Sequence, residues 1–248
     1  MSSLSIDRIL THLLVNEDHI GNVSAQIAYT NNSPRWEFPN YYHAHHFVGD
    51  DGASIDIIMI DTVELSGLSR VNEDEPGYFD TLPLLARSMA DSQWTWIEQQ
   101  IQASTADYLL VVGHYPVYSV CEHGNNPTLI ENLRPLLVQY GGQYLCGHDH
   151  CMEHLVEPGT STNYFLSGMG AYCCYFPKNK DTVPADSLKW YMARDNAGKD
   201  SAGFTSFQLT KKEMLVTFYN QDGDVVYTAP AIAPRSSAQK QQPLVKKD

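Results

Sequence analysis

The chain has 248 residues, enough for one large domain or two small ones, and its 43% of hydrophobic residues excludes a disordered chain. Sixteen Lys and Arg stand against 29 Asp and Glu, a formal net charge of −13 that argues against nucleic-acid binding by bulk charge. No run reaches the ~18 apolar residues of a membrane-crossing helix. The first apolar run carries Asp7 and Arg8, so it does not read as a secretory signal.

In chain order, His43, His45 and His46 alternate in NYYHAHHF and read as the face of a strand or loop. Residues 54–61 (SIDIIMID) predict a buried strand. Residues 72–80 are acidic with Pro-Gly and predict an exposed loop. Residues 91–104 open on Asp91 and Ser92, which resemble a cap, and carry Trp94, Ile97 and Ile101 at helical spacing. An apolar strand follows at 108–112, then a helix at 128–140 that Pro135 is expected to kink, then a strand at 143–146. Further strand-like runs lie at 164–166, 204–209, 214–219 and 225–228. Residues 235–248 are polar and read as a disordered tail. Helices alternating with strands, then a run of short strands, suggest a layered α/β fold with a mixed sheet.

Chemistry gathers at histidines. Two apolar strands end in Gly-His: VVGH at 111–114 and YLCGHDH at 144–150. In open α/β folds ligands collect at the carboxyl ends of strands, and glycine lets the backbone turn sharply there. Neutral imidazole is a good ligand for zinc, iron or manganese. His148 and His150 could serve one ion each or one shared ion; each could also be a polar residue satisfied at a strand end. Read alone, Asn16 is a turn or capping residue and His123 an exposed loop histidine. The five cysteines form no C-x-x-C pair, and their odd number leaves at least one thiol free in a monomer. Cys173 and Cys174 read as small apolar packing groups.

Several segments together resemble the purple acid phosphatases, nearest to their small animal, tartrate-resistant type. They are GHYPVYS at 113–119, EHG at 122–124, LCGHDH at 145–150, HIGNVSAQIAY at 19–29, RWEFP at 35–39, IDTV at 60–63, LRPLL at 133–137 and SGMG at 167–170. The resemblance implies a metallophosphoesterase fold, an α/β four-layer αββα sandwich of two mixed sheets, lacking its N-terminal strands here. It implies a non-family segment at 1–12, a calcineurin-like domain at 13–230 and a flexible tail at 231–248. It implies hydrolysis of phosphate monoesters by a dinuclear metal-bound hydroxide, with phosphate monoesters or phosphoproteins as substrates and neither a nucleic-acid partner nor a membrane span.

Carried over by position, Asn16, His114 and His148 would bind a divalent ion and His150 a ferric ion. His123 would contact phosphate and protonate the leaving group, and Asp18 would orient polar groups nearby. Asn22 matches a family glycosylation site. The family's two ions are iron paired with iron, zinc or manganese, held by seven ligands of which four are present here. The blocks that supply the aspartates and tyrosinate are absent, so weak or partial metal binding is expected. Glu17 replaces a substrate-facing histidine, and Ser66 and Thr128 stand where the family has disulfide cysteines. These departures lead to the expectation of a truncated member, with a catalytically inactive binding protein or mononuclear metal protein as the alternative. The family is lysosomal or secreted, whereas this sequence shows no export signal.

Overall fold

A strand that is apolar at every position must be buried on both faces, and the central strand at residues 108–112 (YLLVV) is of this kind. The computed structural model describes residues 4–5, 23–33, 35–66, 68–69, 80–81, 84–170 and 173–240. The strands are β1 (Leu4–Ser5), β2 (His43–Val48), β3 (Ser54–Met59), β4 (Leu68–Ser69), β5 (Asp80–Thr81), β6 (Tyr108–Val112), β7 (Gln143–Cys146), β8 (Met152–Val156), β9 (Asn163–Ser167), β10 (Leu188–Met192), β11 (Gly203–Leu209), β12 (Met214–Asn220) and β13 (Val225–Thr228). Helices span Ser24–Tyr29, Thr62–Ser66, Leu84–Ala103, Pro127–Tyr140 and Ser237–Lys240.

Seven strands form a mixed sheet in the order β10-β8-β9-β7-β6-β3-β2. Its centre is parallel, β3 to β6 to β7 to β9, and antiparallel strands close both edges. A second sheet, β1-β11-β12-β13, is antiparallel throughout. β4 and β5 form a separate antiparallel pair.

Strand alternation sorts the core into two clusters. Ile55, Ile57 and Met59 of β3, with Tyr108, Leu110 and Val112 of β6, meet Phe207, Val216 and Phe218 of the second sheet. Ile58, Leu109 and Val111 point the other way, onto Ile97, Ile101, Leu129, Leu133 and Leu137 of the two long helices. The described residues therefore stack as helices, mixed sheet and antiparallel sheet, a metallophosphoesterase-like arrangement.

Two expectations change, the start of the long helix and the state of the tail. The long helix begins at Leu84, not 91: LLARSMA is itself a helix-forming run, so Asp91 and Ser92 lie inside the helix. Pro135 lies within the Pro127–Tyr140 helix without ending it. That helix is capped by Asn126, whose side chain accepts from the Leu129 amide, and closed by Gly141 in the left-handed region. The segment expected as a flexible tail is docked at its start. Ile232 pairs with Met214, and buried Arg235 donates to the carbonyls of Ser104, Ala106 and Tyr140. Residues 241–248 lie outside the described residues, as does most of the predicted 72–80 loop.

Candidate metal and phosphate site

Both Gly-His steps lie at carboxyl ends of parallel strands, where local packing demands glycine at one of them. A β-carbon on Gly113 would lie 2.5 Å from Tyr144 Oη and 2.6 Å from Thr62 Cγ2. Immediately beyond, the amides of His114 and Tyr115 both donate to Thr62 Oγ1, at 3.1 and 2.9 Å. Tyr144 Oη donates to the Tyr115 carbonyl at 2.6 Å. The turn after β6 is thus held from β3's end and from β7. At the end of β7, Gly147 donates to the His114 carbonyl at 3.1 Å, joining the two histidine turns. His148 adopts φ 68°, a left-handed conformation that non-glycine residues rarely adopt and that recurs at functional sites.

This geometry brings three of the predicted histidines together. His148 Nδ1 lies 3.1 Å from His114 Nε2. The His123 and His148 rings are 4.2 Å apart, centre to centre. His150 joins through Tyr175, whose ring stacks on it at 4.5 Å and 5° and meets the His123 ring edge-on at 5.4 Å. His114, His148 and His150 are half-buried, and His123 is exposed. The predicted Asn16, Glu17, Asp18 and Asn22 lie outside the described residues. The histidines of β2 belong elsewhere, on the edge strand, where His46 Nδ1 contacts Asp56 Oδ1 at 2.6 Å.

The donor set bears on which ion could bind. Two imidazoles on one tetrahedral ion at ~2.0–2.1 Å stand about 3.3 Å apart, close to the His114–His148 spacing. Neutral nitrogen donors suit a borderline divalent ion. Among the described residues, Cys121, Cys151 and Glu153 bring three donor atoms within 4.8 Å of one another. The group offers no thiolates, because Cys121 and Cys151 are joined as a disulfide.

Sequence reasoning missed the supports beneath the histidines. Asp149, between two predicted ligands, is buried and turns away from them. Its Oδ1 accepts from the His123 amide at 3.0 Å and its Oδ2 from Ser119 Oγ at 2.5 Å. Glu153, fully buried, accepts from the Val120 amide at 3.1 Å and lies 2.9 Å from Ser119 Oγ. Ser119 has one hydroxyl hydrogen for two carboxyl groups, so both contacts are satisfied when one carboxyl carries a proton. Burial raises both carboxyls, Glu153 to about 8. The cysteine pairing was also missed. Cys146 is a free, buried thiol. Cys121 lies two residues before His123 and Cys151 directly after His150, the one sequence signal that could have suggested their pairing.

No family model matches the chain. It is 38% identical over 232 residues to tartrate-resistant acid phosphatase type 5 of Homo sapiens, covering 91% of this chain and 68% of that protein. The Rattus norvegicus type 5 enzyme is 39% identical over 217 residues, covering 86% and 63%. The chain thus spans about two thirds of the length of these relatives. Among solved structures, "GAP50 the anchor in the inner membrane complex of Plasmodium" aligns with a TM-score of 0.67 at 22% identity, covering 91% of this chain and 66% of that one. At that identity it supports the fold alone. No helix among the described residues is long and apolar enough to cross a membrane.

Proposed function

This chain belongs to the purple acid phosphatase family, and on that premise we propose that its histidine cluster binds phosphate monoesters, phosphoproteins included, and hydrolyses them at acid pH with metal ions bound. The observation that carries the reading is the convergence of His114, His148 and His123 at the carboxyl ends of β6 and β7.

Bound cations would neutralise the phosphate and supply hydroxide below neutral pH. His114 Nε2 and His148 Nδ1, 3.1 Å apart, would hold one ion between them. Asn16 would complete that set, and His150 would serve the second ion. His123, on an exposed loop beside them, contacts a phosphate oxygen as an imidazolium and gives its proton to the departing alkoxide. The His123 amide donates to Asp149 Oδ1, which holds the backbone that carries the ring.

Turnover of aryl and alkyl phosphates near pH 5 by iron- and zinc-loaded protein tests this, with His123→Asn alongside. Loss of the proton donor lowers kcat by about 10²–10⁴ for alkyl esters, and by less for nitrophenyl esters, whose leaving group needs no proton. Equal losses for both substrates would remove His123 from that role.

A further inference from the structure

The loop that carries His123 leaves β6 and reaches the Pro127–Tyr140 helix without joining a sheet. Its amides are served by side chains instead. Val120 donates to Glu153, Cys121 to Ser119 Oγ and His123 to Asp149. On its far side the Asn179 amide donates to the Val120 carbonyl at 2.9 Å, and Asn179 Nδ2 donates to the Cys121 carbonyl. Two of these attachments, Val120 to Glu153 and His123 to Asp149, lead to the segment 149–153, which also carries His150. One covalent bond runs the same way. Cys121 and Cys151 are both fully buried and are joined across a separation of 30 residues.

We propose that the Cys121–Cys151 disulfide is a positioning element for His123, strapping its loop to the His148–His150 turn so that the His123 ring is held beside His148. The inference rests on the reading of His123 as the phosphate-facing group. The reason is geometric. One residue separates Cys121 from His123, and Cys151 directly follows His150, so the crosslink couples the two functional turns covalently close to both rings. A proton donor misplaced by about 1 Å costs on the order of 10²-fold in rate, so a loop without a backbone ladder gains from a covalent tie. Hydrogen bonds to Asp149 and Glu153 set the loop's direction, while the disulfide limits how far it can withdraw.

The test compares zinc-loaded wild type with Cys121→Ala/Cys151→Ala and with the volume-filling Cys121→Val/Cys151→Ala. Three quantities are measured: cross-relaxation between the His123 and His148 ring protons, molybdate affinity at pH 5, and zinc affinity. Positioning predicts loss of the ring contact, molybdate binding weaker by about tenfold or more, and zinc affinity unchanged. A retained ring contact and unchanged molybdate affinity in a folded variant overturn the proposal. So does a parallel loss of zinc affinity in both variants, which marks the crosslink as general scaffolding. If the ring contact depends on the disulfide but wild type binds no molybdate, the strap stands and the phosphatase reading fails.

Discussion

Gly168 lies directly against the backbone of Asp149: a β-carbon on this glycine would stand 1.7 Å from the Asp149 carbonyl oxygen and 2.8 Å from its carbonyl carbon. The Gly168 amide meanwhile donates to the Cys151 carbonyl at 2.9 Å. The end of β9 thus supports the turn that holds His148 and His150, and the turn can sit there only because residue 168 has no side chain.

Gly168→Ala should therefore push that turn outward. The loss in stability is expected at about 1–3 kcal/mol, as for other overpacked sites, with weaker zinc binding. Urea denaturation and zinc titration of the variant check both effects. Unchanged values would mean that the turn can give way freely.

Glu153 should make stability depend on pH. Burial raises its folded-state value from 4.5 to about 8, so the folded protein prefers the protonated acid. Its contribution is intact below about pH 4.5 and is lost progressively as the pH rises toward 8. Glu153→Gln removes the charge while leaving an acceptor for Val120 and a donor for Ser119. The variant should match wild type near pH 4 and exceed it at pH 7 by up to about 3 kcal/mol. Denaturation midpoints at the two pH values decide, and parallel curves would refute the assignment.

His114→Ala and His148→Ala should each cut divalent-ion affinity by more than the ~10–100-fold that follows loss of a ligand's outer partner. Melting temperatures of the metal-free proteins should move little, because both side chains are only half-buried. Calorimetric zinc titration separates this from a structural role, in which stability would fall and affinity would not.

Arg235→Met should be strongly destabilising. Its guanidinium reaches the carbonyls of Ser104 and Ala106, past the end of the Leu84–Ala103 helix, and that of Tyr140 at the end of the Pro127–Tyr140 helix. Removing it strands buried acceptors at about 1–3 kcal/mol each in the worst case. Guanidinium denaturation measures the loss. A change below about 1 kcal/mol would show that water replaces the arginine.

Much of the scaffold was legible because its signals are local. The β3, β6 and β7 strands were readable as short, mostly apolar runs, β6 without a polar residue, and the family was readable from short motifs around His114, His123 and His148. Strands β8 and β10 were not, because MEHLV and LKWYM mix polar and apolar residues and become strands by pairing with β9 and with each other. Arg235 in a polar tail gave no hint of burial, since its partners lie 95 to 131 residues away in sequence.

By itself the amino-acid order determined the two-faced burial of the central strands, the glycine steps at their ends and the imidazoles that follow. Those depend on neighbours a few residues apart. Only the tertiary structure decided that His114 and His148, 34 positions apart, face one another, that Asp149 turns away from them to hold the His123 loop, and that Cys121 finds Cys151. Such pairings are set by how parallel strands register and where their loops are pinned, and no spacing along the chain encodes that.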